Sequence, residues 1–284
     1  MQVSRPKVAV VGHVEWVQFT RVPHVPRAGE VIHAHDAFEE PAGGGAVAAV
    51  QLARLAGKAM LFTALGDDEL GDRSAERLGE FGVQVRAARR DVGTRRASTL
   101  VNDAGERTII TLGPRLEPNG NDKDLSWEAL EGMDAVYFTA GDEGALRAAR
   151  AARVLVASPR AGEALGQGVE LDALVLSGED AIERHQAERV QAEAKLVVFT
   201  EGARGGAYRE RFGSAGTWTA AQPPAAPVDS YGCGDSFAAG LTYGLGAGLE
   251  VPAALALAAR CGAMCLTGRG PYQRQLMERD LAGG

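Results

Sequence analysis

Short, nearly unbroken apolar runs recur along the chain at residues 7–11, 59–64, 135–139, 154–157, 173–176 and 196–200. Runs this short and this apolar predict parallel strands buried on both faces. Between them the period changes. A stretch beginning near Asp67 or Asp68 lines up Leu70, Ser74, Leu78 and Phe81 on one stripe before Gly82, which predicts an amphipathic helix stopped by a glycine. Strand and helix in alternation imply βαβ units and an α/β fold with a layered, mostly parallel central sheet. Small or polar residues follow each predicted strand: Gly12 and His13, Gly66 and Asp67, Gly141 and Asp142, Ser158 and Pro159, Ser177 and Gly178, Glu201 and Gly202. Ligands of open parallel sheets bind outside the C-terminal strand ends, so these positions mark a small-molecule site, or are simply turns.

Two segments break the pattern. Residues 13–42 and roughly 94–112 alternate polar and apolar positions without a helical period, and in the second a turn at Asp103, Ala104 and Gly105 separates 97–102 from 107–112, which predicts a hairpin. Extra strands inserted into an α/β domain can form a small second layer over the strand ends, a lid in functional terms. Residues 221–227, with three prolines, predict a rigid connection and no domain boundary. The whole chain, 1–284, therefore reads as one domain with two inserted lid segments.

Composition narrows the partners. With 284 residues, 45% of them hydrophobic, the chain can bury a large core without a disulfide or metal staple. Its 30 Lys and Arg against 37 Asp and Glu give a net charge of −7, which argues against a surface built for nucleic acid or anionic lipid. Residues 251–267 are apolar but short for a bilayer and carry Arg260, and the N-terminus lacks the apolar segment and cleavage site of a signal peptide. A cytoplasmic protein with a small-molecule substrate, and no membrane partner, is the expectation. Cys233, Cys261 and Cys265 are too few for a disulfide framework; Cys261 and Cys265 share a helix face, with no further His or Cys nearby to complete a metal site.

The strongest local signal is the run Asp229-Ser230-Tyr231-Gly232-Cys233-Gly234-Asp235-Ser236-Phe237, followed by a helical pattern. Glycines at 232 and 234 leave the backbone bare where a helix begins, so N–H groups and the positive end of the helix dipole can face an anion. Asp235 stands at the same end. Next to a bound phosphate a carboxylate is a poor ligand but a well-placed base for a hydroxyl attacking that phosphate; alternatively Asp235 only caps the helix.

Two separated signatures, the stretch PAGGGAVAAVQLARLAG continuing into FTALGDDELG at Phe62 to Gly71, and DSYGCGDSFAAG at Asp229 to Gly240, resemble those of the ribokinase-like (PfkB) carbohydrate and nucleoside kinases. The resemblance runs over nearly the whole chain. It implies a ribokinase-like three-layer fold and an ATP-dependent kinase acting on a hydroxyl of a sugar, nucleoside or related metabolite. In it, Gly232, Cys233 and Gly234 form the anion hole and Asp235 is the base. The turn in VVFTEGARGGAYR implies that Thr200, Glu201, Gly202 and Gly205 lie against ATP. Gly43, Gly44 and Gly45 of the glycine-rich turn would border the acceptor. Asp229 falls where relatives organise a monovalent cation, so K+ joins ATP and Mg2+ as an expected cofactor, with the loop Gly268 to Pro271 completing its site. The lid pairs two subunits in many members, which makes a homodimer an expectation here.

The chain also departs from the family pattern. Val17 stands where many sugar kinases place a hydroxyl-gripping Asp, and Val47 where many place an Asn. Glu15, two residues earlier on the same strand face, can take over part of that binding. Losing two polar groups weakens selection for ribose or fructose. Ser177-Gly178-Glu179-Asp180 replaces the family's Asn-x-x-Glu, leaving Asp180, or less directly Glu179, as the carboxylate for magnesium. Asp142 and Arg160 follow strand ends and are further acceptor candidates. Trp16 and Phe19 can stack on a planar substrate or merely pack. His33 and His35 are expected to share a strand face, and 183–193 to form a solvated helix face of mixed charge. A second reading is a non-catalytic nucleotide- or metabolite-binding regulator of the same fold. A dinucleotide-binding oxidoreductase is disfavoured because Gly12-His13-Val14-Glu15 carries no G-x-G-x-x-G after the first strand.

Overall fold

The computed structural model describes residues 5–190 and 193–283. Its central sheet is built around β1 (Val8–Val11), a four-residue strand with every side chain buried. Along the chain follow β2 (Glu15–Arg21), β3 (Asp36–Ala42), α1 (Gly44–Ala56), β4 (Ala59–Gly66), α2 (Glu69–Glu80), β5 (Val83–Arg90), β6 (Arg96–Val101), β7 (Arg107–Leu112) and β8 (Ala135–Phe138). Then come α3 (Glu143–Ala149), β9 (Val154–Ala157), β10 (Leu171–Ser177), α4 (Ala181–Val190), β11 (Ala194–Thr200), β12 (Gly206–Glu210), β13 (Ala215–Trp218), α5 (Cys233–Gly246) and α6 (Val251–Cys265). Nine strands form the large sheet in the order β13-β12-β11-β10-β9-β8-β1-β4-β5. All pairings from β11 through β5 are parallel, and only β12 and β13 are antiparallel.

Strand alternation divides the core between two faces. Val8 and Val10 of β1, with Ala135 and Tyr137 of β8, meet α1, α5 and α6 on one side. Ala9 and Val11, with Val136 and Phe138, meet α3 and α4 on the other. A sheet covered on both faces needs strands apolar at every position, which is what the runs in the sequence predicted. The predicted helix is α2, with Asp68 at its N-cap accepting from the Gly71 amide at 2.8 Å and Gly82 beyond it at φ +83°.

The lid is a separate four-stranded sheet in the order β3-β2-β6-β7. The expected hairpin is β6–β7, with Val101 opposite Arg107, and the segment 13–42 supplies β2 and β3. Its tip folds back onto the chain ahead of α5: the Ser230 amide donates to the Gly105 carbonyl at 3.1 Å and Arg107 Nη1 donates to Ser230 Oγ at 3.2 Å.

Several expectations are corrected. β5, β12 and β13 were not anticipated, because their half-exposed faces carry Arg, Glu and Gly in place of apolar runs. His33 and His35 are exposed and precede β3 without belonging to a strand. Phe19 is fully buried, stacked on Phe38 with centroids 4.8 Å apart, and Trp16 lies under the Arg73 guanidinium with its Nε1 donating to Glu39; both pack. The solvated, mixed-charge helix face expected over 183–193 is present in α4, where Arg184, His185, Glu188 and Arg189 are exposed, but Glu183 is buried; Gln191 and Ala192 lie outside the described residues.

Helix α5 is seated on α6 by close contact at Gly240, where a Cβ would stand 2.8 Å from Cys261 Sγ and 2.9 Å from Ala258 Cα. Backbone cannot yield as a flexible side chain does, so Gly240→Ala is expected to cost about 1–3 kcal/mol through overpacking. Chemical denaturation checks this: the midpoint falls while the slope is unchanged.

Candidate active site

The C-terminal ends of the parallel strands, the glycine-rich turn before α1 and the start of α5 converge on Asp235. Gly232 is the N-cap of α5 at φ +80°, a left-handed conformation that a residue with a Cβ adopts only with strain. A Cβ there would also lie 2.9 Å from Val47 Cγ1 and 3.1 Å from Pro271 Cβ. The first intrahelical bond runs from the Ser236 amide to the Gly232 carbonyl at 2.8 Å, so the amides of Gly234 and Asp235 have no partner within the helix. Gly234 is exposed and nothing crowds it. Cys233, half-buried beside it, has its thiol pushed well up by the neighbouring Cys265 thiol and by burial, so it stays a neutral thiol.

Asp235 occupies the first turn of the helix, not the cap, and its carboxylate makes no hydrogen bond to the helix start. Burial raises its pKa above the usual carboxylate value; Arg160 and Arg107 pull it down, and Glu183 pushes it up. Asp235 Oδ1 lies so close to the glycine turn that a Cβ on Gly44 would stand 3.0 Å from it. Only glycine leaves room there for an approaching group.

On the other side of the glycine turn stand His13 and Glu15. The Gly44 amide faces His13 Nε2 at 3.4 Å, the Gly45 amide donates to the His13 carbonyl at 3.1 Å, and the Gly43 amide donates to Tyr231 Oη at 3.2 Å. Burial, reinforced by Arg115, Arg95 and Arg160, holds His13 well below its ordinary pKa, so the imidazole is neutral. Glu15 Oε1 lies 3.7 Å from His13 Nε2 and 3.3 Å from Arg95 Nε. Burial raises the Glu15 pKa, against Arg95 and Arg115 and with Asp235. The strand face that turns Glu15 into the site continues into the core with Val17 and Phe19. Val17 and Val47 have no exposed surface at all, which corrects their expected place in the acceptor shell: both are packing residues. Asp142 caps α3, its Oδ1 accepting from the Ala145 and Gly120 amides, each at 2.8 Å. It lines a cavity of about 480 Å³ with Arg90, Arg115 and Glu117, of which Arg115 also acts on His13 and Glu15.

The remaining candidates lie at the ends of β10 and β11, which pair with Ser177 opposite Thr200. The turn after β11 closes through the Glu201 amide to the Gly205 carbonyl at 2.7 Å, with Gly202 open to solvent and Gly205 packed under Trp218. Beside it, Asp180 Oδ1 caps α4, accepting from the Ile182 and Glu183 amides, while Oδ2 makes only a 3.7 Å contact with Arg160. Among the described residues no three His, Cys, Asp or Glu side chains stand close enough to hold a metal ion by themselves. The free Asp180 Oδ2 fits an outer carboxylate for a hydrated cation brought in on a nucleotide. Asp229 fits less well: its two oxygens already accept from the Tyr231 amide at 2.8 Å and the Gly270 amide at 3.1 Å, so it ties the 268–271 loop to the segment that opens α5.

Sequence reasoning missed Glu183, Arg95, Arg115 and Arg107. Glu183 bridges the Ser177 amide at 2.8 Å and Arg160 Nε at 2.6 Å. The three arginines come from one stretch of the chain, Arg95 just before β6, Arg107 at the start of β7 and Arg115 just after β7, and no local pattern distinguishes them from the other arginines there. Because Arg160 is the first charge acting on Asp235, Arg160→Gln is expected to raise the Asp235 midpoint in a carboxyl NMR titration. An unmoved midpoint removes Arg160 from its role.

Comparison with known proteins places this geometry. The pattern of the pfkB family carbohydrate kinases matches residues 5–165 and 169–276. A ribokinase of Mus musculus is 33% identical over 118 residues, a stretch covering 40% of this chain and 36% of that protein's length. A microbiome-derived acarbose kinase superposes with a TM-score of 0.80 at 22% identity, covering 98% of each chain. The ribokinase of Arabidopsis thaliana, solved with ribose and ATP, superposes with a TM-score of 0.76 at 19% identity over 98% of this chain and 97% of its own. At these identities the superpositions speak for the fold, and the two matched spans, which together take in all but the ends and a short interior gap, speak for descent: the chain belongs to the pfkB family of carbohydrate kinases.

Proposed function

We propose that the protein transfers the γ-phosphoryl group of ATP to a hydroxyl of a small sugar, nucleoside or related metabolite, with Asp235 as the base. The observation that carries this reading is a carboxylate of raised pKa, without hydrogen bonds from its own helix, placed beside free helix-start amides and one glycine away from His13. Phosphoryl transfer asks chiefly for positioning and for charge stabilisation. Asp235 accepts the proton of the attacking hydroxyl. The amides of the Gly232-Cys233-Gly234 turn and the dipole of α5 face the charge on the transferring phosphoryl group. Arg107, carried on the lid and bonded to Ser230, adds a positive charge at the same end.

The open turn Thr200, Glu201, Gly202 and Gly205 is the surface for the nucleotide. Mg2+ bound with it would neutralise phosphate charge, and Asp180 is the residue suited to orient its waters. No step is assigned to K+, since the Asp229 oxygens are engaged by backbone amides. The lid covers the acceptor and keeps water from the phosphoryl group. Among the described residues no helix is long and apolar enough to cross a membrane, in keeping with a cytoplasmic enzyme drawing on cellular ATP.

The lid also supports a homodimer. β7 is an edge strand exposed along its whole length, with Ile109, Ile110 and Leu112 each more than 40% exposed, and such an edge invites pairing with a second copy. Sedimentation is expected to show a dimer that Ile110→Lys converts to monomer; a monomeric wild type overturns this part.

ADP release from ATP and magnesium, over a panel of sugars, sugar acids and nucleosides, tests the main proposal. Asp235→Asn is expected to lower kcat about a hundredfold or more with the fold intact. Wild-type turnover in that variant removes Asp235 as the base; nucleotide binding without transfer to any acceptor favours the regulatory reading.

A further inference from the structure

Three guanidinium groups act on His13. Arg115 donates through Nη1 to the Arg160 carbonyl at 2.8 Å and through Nη2 to the Thr139 carbonyl at 2.6 Å, with Nε 3.0 Å from Glu117. Arg160 donates through Nε to Glu183 at 2.6 Å, and its side chain is more than half exposed, with Asp180 3.7 Å from Nη2. Arg95 differs from both in being largely enclosed and without any side-chain hydrogen bond to a described residue. Its side chain is 16% exposed, so it is fixed in the wall of the site. Its nearest partner is Glu15 at 3.3 Å from Nε, at an angle too poor for a hydrogen bond, and its two terminal amino groups have no acceptor among the described residues. Glu15, for its part, accepts no hydrogen bond from any described residue, although its side chain is only 8% exposed.

Arg95 Nε is buried without a hydrogen-bond partner, and the terminal amino groups of Arg95 and the oxygens of Glu15 keep hydrogen-bonding capacity that no described residue uses. A ligand that supplies acceptors to one and donors to the other engages both. The planar fork of an arginine matches the two oxygens of a carboxylate or phosphate, and for a lone hydroxyl its geometry is wasted. The glycine-rich turn separates the two acids: a Cβ on Gly43 would meet His13 and Glu15, and one on Gly44 would meet Asp235 and His13. Arg95 stands on the Glu15 side of that turn, 3.3 Å from Glu15, so an anionic group seated on it lies away from the base.

We propose that the acceptor is a polyol carrying an anionic group, a carboxylate or a phosphate, which seats on the open fork of Arg95 while adjoining hydroxyls donate to Glu15. This deepens the kinase reading by naming the acceptor class, and it rests on that reading only for the hydroxyl that faces Asp235. Arg95 then decides specificity between charged and neutral acceptors.

Calorimetry on the full chain without nucleotide tests it. The probes are glucose, gluconate and glucose 6-phosphate; ribose, ribonate and ribose 5-phosphate; and inorganic phosphate alone. In at least one series the anionic member is expected to bind about tenfold or more tightly than its neutral parent, and the carboxylate and phosphate arms identify the anion. Arg95→Gln is expected to erase that preference while changing the neutral parent less than about threefold, and Arg95→Lys to keep part of it, since charge remains and the fork is lost. Should Arg95→Gln fail to fold, Arg95→Lys carries the same comparison. Equal binding of charged and neutral members, equal weakening of both in the variant, or no Arg95-dependent binding by any anionic probe overturns the proposal. Arg95-dependent binding without ADP formation leaves it standing and removes the kinase reading. ADP formation with neutral acceptors only does the reverse.

Discussion

The site depends on how the start of α5 is wedged between α1 and the 268–271 loop. Gly232 has Val47 on one side and Pro271 on the other, so close that no side chain fits, and this contact sets where the helix begins and where its free amides point. Asp229 tightens the wedge by accepting from the Tyr231 and Gly270 amides, and Tyr231 passes the constraint to the glycine-rich turn through the Gly43 amide. One packing contact therefore fixes the free amides at the helix start, Asp235 three residues on and the turn across from it. A helix start alone is common; a helix start held against a second glycine turn, with a carboxylate between them, is what gives the arrangement its chemistry.

Burial is the leading influence on the ionisable groups around that wedge. It raises Asp235, Glu15 and Glu117 and depresses His13 and Arg115, so each charged form is held at a cost. The arginines and acids compensate each other pair by pair, Arg160 with Glu183 and Arg115 with Glu117, and these pairs matter less for stability than for where they leave uncompensated valence. A buried pair of good geometry is closed to ligands. The stretched Glu15–Arg95 contact stands open beside the glycine-rich turn.

The lid joins this site by chain connectivity as much as by contact. β2 leaves the end of β1 after only three residues, so Glu15 is delivered to the cleft by the central strand itself. The β6–β7 hairpin returns to the segment before α5 through Gly105 and Ser230, bringing Arg107 with it. One docking contact thus sets both where the lid lies and where Arg107 stands relative to the start of α5.

The sequence by itself determined the parallel strands, the α2 helix, the lid hairpin and the glycine-flanked Asp235, because each is written in contiguous residues: an apolar run, a 3.6-residue stripe, a turn between alternating segments, a bare backbone at a helix start. It also singled out Glu15, since period-two alternation is a local rule. It could not tell that the face shared by Glu15 and Val17 leaves the cleft between them, nor that Val47 lies beneath Gly232, because depth along a face depends on what packs against it. Asp142 and Asp180, chosen for their place after strands, spend oxygens on capping helices, a use settled by the helix that follows. Glu183 looked like one acid among many on a polar helix until the fold laid it against Arg160 and the Ser177 amide. Arg95, Arg107 and Arg115 sit close together in the chain, around the β6–β7 hairpin, but what they face, Glu15, Ser230 and the Thr139 carbonyl, comes from elements far from it. Electrostatic environment is a property of three-dimensional neighbours, and only the tertiary structure decides who they are.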